Sequence, residues 1–384
     1  MPNGLRGWTT LVALAGCLAA GNSSRAEMPR PLQAYFGDLG TPVADGAPAA
    51  ARAIYDRARD EAGMDFLALV AAAPSTRLAE TAAKRTASEA GRFVALDAWS
   101  FGPQEIGRPV IVLGGRRVDD PSLVPLGRFD LFYRFWLPDH ADPTAGVPVL
   151  HLPAPARPRT DYGLASLGSL DALREAARPY ARTMHVMGPG SGDDATPDGD
   201  AVDIRTAYLD YLNAGFRLAP TAAWQTPASA GASGYRTAVL AADLTRAALF
   251  DGINRRRVYA SGDRNLRASF SVNGHPMGSV VPVAAGTPLR IEVTMSDPDE
   301  PDAHYWVSLR RDVPGGGVEA AAELFGTDYH GDGRVVLSQF RRSGPAEYFL
   351  VEITQRSHEG ADVAWTAPIW LVEPVDAARS DRSG

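Results

Sequence analysis

Asp38 stands at the end of the apolar stretch Tyr35-Phe36-Gly37, where a strand hands over to its loop and where catalytic groups are often carried. The residues that follow are Leu39, Gly40, Thr41 and Pro42, and none of these binds a metal strongly or moves a proton at neutral pH. Gly37 permits a close backbone approach and Pro42 is expected to stop the strand. The segment therefore reads as a well-formed turn around one isolated carboxylate. Seven histidines, at 140, 151, 185, 275, 304, 330 and 358, are too widely spaced for His-x-His or HExxH metal motifs. No GxSxG is present, and "GPGSG" at 188–192 lacks the lysine of a phosphate loop. Two acidic stretches have oxygen-rich spacing. In "SDPDEPD", 296–302, Asp297, Asp299 and Asp302 could hold a calcium ion at the surface, although a charged loop between strands is the preferred reading. In "DYHGDG", 328–333, the position that calls for a bidentate glutamate is Gln339, so a solvated turn is expected.

The 384 residues, with 38 basic and 45 acidic side chains and a formal charge of −7, exclude nucleic acid as the expected partner. The one basic triplet, Arg255-Arg256-Arg257, reads as a solvated helix end. Arg6 precedes an apolar run from Trp8 to Ala20, which is too short to span a bilayer and suits a secretory signal. Inside it, "LAGC" resembles the bacterial lipobox, with Cys17, the only cysteine, as the lipidation site; cleavage after Ala26 is the alternative. Residues 1–26 are thus read as a signal and lipobox segment of an exported protein, held in the periplasm or outer membrane as a lipoprotein. Its only expected membrane contact is the lipid anchor.

From Pro31 to about residue 263, apolar runs alternate with helix-period segments. "APAAARAIYDRARDEAG" places Ala51, Ile54, Ala58 and Ala62 on one face, and "DFLALV" follows as a buried strand. Helices are also predicted in 75–91, around "SLDALREAARPYA" and over "DIRTAYLDYLNAG". This alternation predicts parallel βα units in a barrel-like α/β domain over 31–263, with a Pro-rich insertion over about 102–160. After residue 263 the period becomes two. In "LRIEVTM", Leu289, Ile291, Val293 and Met295 share one face, and Asn273-Gly274 signals a hairpin. A small all-β sandwich is expected over 264–374, followed by a tail at 375–384.

The segments "AYFGDLG", "DFLALVAAA", "GRFVALDAWS", "GRPVIVLGG", "GFRLAPTAAWQTP" and above all 244–279 resemble successive landmarks of the exported branch of the polymerase-and-histidinol-phosphatase (PHP) superfamily. The resemblance implies a distorted (β/α) barrel with up to three metal ions at the strand ends, used for phosphoester hydrolysis. Its metal-binding positions are substituted here. The two histidines of the first motif fall on Gly40 and Pro42, the second motif on Ala71 to Ala73, and the glutamate before Trp99 on Ala98. A Gly-His pair has become Gly107-Arg108, and an Asp-Asn-His run has become Gln225-Thr226-Pro227. One carboxylate, Asp38, cannot hold two or three ions, so no metal and no cofactor is expected.

The resulting expectation is a PHP-like pseudoenzyme that acts as a binding or scaffolding protein in the cell envelope. Asp38, Trp99, Arg108, Trp224 and Gln225 would line the cleft, and an aromatic-plus-cation lining suits an organic anion or a saccharide. Two alternatives stand beside it. One is a metal-independent hydrolase using Asp38, Asp97 and His185 as acid–base groups. The other is a carbohydrate- or protein-binding module in the β-sandwich. The anchor is directly testable. Cys17→Ala should shift the protein from the membrane fraction to precursor or soluble forms, and unchanged fractionation with a mature terminus near Glu27 would refute lipidation.

Overall fold

In the computed structural model the described residues are 31–43, 48–71, 87–101, 110–113, 132, 149–152, 175, 177–188, 204–224, 234–313, 322–344, 346–357 and 360–374. The first half contributes strands β1 (Gln33–Val43), β2 (Phe66–Ala71), β3 (Val94–Phe101), β4 (Val110–Leu113), β5 (Val149–Leu152), β6 (Ala181–Met187), β7 (Ala219–Ala222), β8 (Arg236–Ala241) and β9 (Val258–Ser261). The second half contributes β10 (Arg267–Val272), β11 (His275–Pro276), β12 (Val280–Pro282), β13 (Ile291–Ser296), β14 (His304–Asp312), β15 (Ala322–His330), β16 (Gly333–Leu337), β17 (Ala346–Ser357), β18 (Gly360–Thr366) and β19 (Ile369–Val372). The helices among the described residues are α1 (Pro48–Asp60), α2 (Ile204–Asn213) and α3 (Arg246–Asn254).

The predicted helical face holds in α1. In α1, Ala51, Tyr55 and Ala58 are buried at i, i+4 and i+7, and Gly63, at φ +62°, ends the turn beyond it. In α3, the Thr245 side chain accepts from the Ala248 amide at 3.2 Å, an N-cap that satisfies a donor the helix cannot. The β2 strand is buried on both faces, with Phe66, Leu67, Ala68 and Leu69 all fully enclosed, as expected for a strand with parallel neighbours on each side. At Gly37 a Cβ would run into the Phe66 carbonyl oxygen, so the close approach of β1 to β2 requires glycine.

The expected helix-rich (β/α) barrel is not what forms. Of the described residues 51% are in strands, against three short helices. The sheet is mixed: β1–β2, β2–β3, β5–β6 and β6–β7 are parallel, but β1–β8, β3–β4, β4–β5 and β8–β9 are antiparallel. A parallel barrel needs a crossover helix between every pair of strands, and antiparallel neighbours remove that need. The periodicity located α1 and α2 but could not reveal the direction in which a strand joins its neighbour. Other predicted helices, over most of 75–91 and around 169–176, lie outside the described residues, as does most of the Pro-rich 102–160 segment. The β1 strand also runs through Pro42, which pairs with Val70, rather than stopping before it.

The sheet curls far enough for β7 to meet β8. The Thr237 hydroxyl donates to the Ala222 carbonyl at 2.8 Å and receives the Ala222 amide at 3.0 Å. Beyond β9 the same sheet continues through β18, β17 and β19 to β12, with β14 and β15 added at β17, giving 15 strands in all. The β9–β18 pairing crosses residue 263, the boundary predicted from the change of period. A separate sheet in the order β11-β10-β13-β16 carries Phe270, Ile291, Val293 and Met295 into the same core as Tyr305, Val307, Val351 and Ile353. Asn273 and Gly274, at φ +52° and +79°, form the predicted hairpin turn between β10 and β11.

Contacts between the halves are numerous. Tyr348 donates to Asn213 at 2.8 Å, Arg205 pairs with Glu352 at 2.8 Å, and Tyr208 packs on Trp365 with centroids 6.0 Å apart. A fragment starting at Asp263 loses the β9 partner of β18 and exposes this apolar face. It should therefore fail to show a cooperative thermal transition, and one matching that of the whole chain would contradict the shared sheet.

Candidate functional site

Asp38 is held by a bulge. The register steps from Asp38 opposite Leu67 to Thr41 opposite Leu69, so β1 carries one extra residue. The bulge turns the chain back onto the carboxylate, where the Gly40 amide donates to Oδ1 at 2.7 Å and the Thr41 hydroxyl to Oδ2 at 3.0 Å. From beyond the end of β7, the Trp224 amide donates to Oδ2 at 2.7 Å. Asp38 is only 2% exposed. Burial pushes its pKa up to about 6; the bonds from Gly40, Trp224 and Thr41 and the charge of the buried Arg236 offset part of that rise. Among the described residues, three donors surround the carboxylate. Its role is to tie the β1 bulge to the end of β7.

Trp224 is thereby brought next to Asp38, but through its backbone; its side chain is buried in the core with Tyr55 and Phe93. His185 lies in β6 opposite Thr221, largely buried, with Cε1 and Nε2 each 3.3 Å from where a Gly188 Cβ would stand. Asp97 and Trp99 lie in β3 opposite Leu69 and Ala71, and their side chains are outside the described residues. Arg108, Gln225 and Cys17 also lie outside the described residues. Among the described residues no three His, Cys, Asp or Glu side chains gather as metal ligands, and no helix is long and apolar enough to cross a membrane.

No known family and no curated protein matches the chain.

A cleft of about 1010 Å³ lies elsewhere, at the ends of β14, β15 and β17 where His304, His330 and Arg356 stand. The antiparallel register sets His304 opposite His330 on one side and opposite Arg356 on the other. The two imidazoles meet edge to face, with centroids 4.4 Å apart. Asp328 precedes His330 by two positions and so shares its face. The segment Asp299–Ala303, leading into β14, forms a further wall. The His304–His330 pair does not show as a short-spacing motif, although 299–302 and 328–330 fall within the two acidic stretches noted in the sequence. His304 and His330 are brought together by strand pairing, and the usable signal was a histidine in each of two stretches able to pair, "AHYWV" and "TDYHG".

The role of Asp38 can be measured. Asp38→Asn loses acceptor capacity toward Trp224 and Thr41 and should cost about 2–4 kcal/mol at neutral pH. Because the folded pKa is raised, the folded state holds its proton more tightly than the unfolded state, and wild-type stability falls as pH rises from about 4 to about 6. The variant lacks that contribution, so its deficit relative to wild type should shrink as pH rises through this window. Denaturant titrations of both proteins at pH 4, 5 and 6 check this, and a deficit that grows with pH would contradict it.

Proposed function

We propose that the protein is an exported, lipid-anchored binding protein of the cell envelope, and that its ligand is a saccharide taken by the cleft on β14, β15 and β17. The reading rests on the His304–His330 pair with Asp328 on the same face and Arg356 across the strand. Ring faces suit the C–H surfaces of a sugar, carboxylates accept from vicinal hydroxyls, and a guanidinium donates to ring or hydroxyl oxygens. An organic anion fits less well, because the lining carries Asp299, Glu300, Asp302 and Asp328. Resemblance to the PHP superfamily enters only as a proposed common ancestry of the motif segments. Its hydrolytic chemistry is not carried over, since Asp38 is committed to internal bonds.

Screening the purified protein on an array of neutral and amino-sugar oligosaccharides tests the reading. Binding should weaken about tenfold or more in His330→Ala and in Asp328→Asn, equivalent to roughly 1.4 kcal/mol or above. Zinc, manganese and iron should be substoichiometric after dialysis. Sugar binding unchanged in both variants, or chelator-sensitive phosphoester hydrolysis with bound transition metal, would overturn it.

A further inference from the structure

The inner face of the same strands carries a different arrangement. The register aligns Tyr305, Gln355 and Asp362 across β14, β17 and β18, with Tyr305 and Gln355 almost completely buried. Asp297, also fully buried, approaches from the loop after β13. Its Oδ1 accepts from the amides of Asp299 at 2.8 Å and Glu300 at 3.2 Å, and its own amide donates to Asp332 Oδ1 at 3.0 Å. These bonds fix the loop and leave Asp297 Oδ2 directed at Gln355. Asp297 Oδ2 and Glu300 Oε2 both lie 2.7 Å from Gln355 Nε2. Two carboxylates thus converge on one neutral amide nitrogen, while the neighbouring Arg264 is paired with Asp299 at the surface.

The surrounding neutral oxygens are unsatisfied. The Tyr305 hydroxyl, Gln355 Oε1 and Asn265 Oδ1 are buried without a hydrogen-bond partner. Buried polar atoms normally find partners, and three orphaned oxygens beside an acidic loop need a cause. The Tyr305 hydroxyl is shifted upward by burial and then by the charges of Asp297, Asp332, Glu300 and Asp263, which places it in the field of four carboxylates.

We propose that Asp297, Glu300, Gln355 and Tyr305 form a calcium site. A half-turn of the Gln355 amide exchanges its nitrogen for Oε1 at the point where the two carboxylates meet, giving three converging oxygens. The Tyr305 hydroxyl completes that side, directly or through a bound water. Only two acidic side chains are needed, because the other donors are neutral. An all-oxygen donor set selects a hard cation, and donors drawn from a loop and two strands suit the flexible six-to-eight coordination of calcium better than the strict octahedron of magnesium. The sequence offered Asp297, Asp299 and Asp302 as a surface calcium site second to a plain charged loop; Asp299 and Asp302 are exposed, and Glu300 stands beside Asp297 instead.

The test titrates the chelator-treated full chain with CaCl₂ and with MgCl₂, by calorimetry and by thermal unfolding. One calcium per chain should bind, with a Kd of about 10⁻⁴–10⁻³ M or tighter. The Tm should rise by roughly 2 °C at about 10 mM calcium and much less with magnesium. Asp297→Asn keeps the Oδ1 acceptor and should weaken binding about tenfold or more. Gln355→Glu adds a third carboxylate at the focus, so it should lower Tm without calcium and tighten binding. A misfolded variant cannot mimic that gain. If Asp297→Asn does not fold, Gln355→Glu and Tyr305→Phe carry the comparison. No saturable binding by about 10 mM, an equal response to magnesium, or an affinity unchanged in the variants would each overturn the proposal.

Discussion

The pairing of β9 with β18 is the constraint on which the rest of the molecule depends. Ser261, Ala260 and Tyr259 sit opposite Ala364, Trp365 and Thr366, and through these few residues one sheet passes from the N-terminal strands into the C-terminal ones. Tyr259 secures the junction. Its hydroxyl donates to the Leu266 carbonyl at 2.8 Å and receives the Ala268 amide at 3.2 Å, while its ring meets Phe36 edge to face at 6.3 Å. One fully buried side chain therefore binds β1, β9 and the start of β10 together. Strand order beyond this point, including the position of β14 and the loop that precedes it, follows from where β18 is anchored.

Periodicity made the local elements legible. The 3.6-residue pattern of Ala51 and Ala58 marked α1, the two-residue pattern of Ile291, Val293 and Met295 marked β13, and Asn273-Gly274 marked a turn. Strand direction was not legible. Nothing in "PVIVLGG" distinguishes a strand that returns antiparallel to β3 from one that arrives parallel after a crossover. An apolar run reports burial, whereas direction is decided by connections that the run does not contain. The site had the same limitation. Asp38 was visible as a strand-end carboxylate, but the Trp224 amide that claims it comes from 186 positions away. His304 and His330 likewise become neighbours only through register.

Two buried acids illustrate how similar residues serve different ends. Asp38 has both oxygens occupied by donors from the protein, so its charge is spent internally, on the closure of β1 against β7. Asp297 uses one oxygen to shape its own loop and turns the other toward a second carboxylate. Burial alone does not separate these cases, because both are almost completely enclosed. The direction of the remaining lone pairs does. Carboxylates surrounded by N–H groups are finished structures, whereas two carboxylates facing each other across a single amide retain a demand for positive charge.

The segment Asp299–Ala303 is common to the cleft and to the buried cluster around Gln355. It walls the cleft, and its Glu300 also meets Gln355 Nε2. Five residues with two environments cannot be positioned by one of them without regard to the other. An occupant of the cleft that favoured one placement of this segment would change the affinity of the Gln355 cluster for its own ligand, and the effect would be reciprocal by thermodynamic necessity. On the two proposals made above, the placement of this segment is the one variable that both binding equilibria would share.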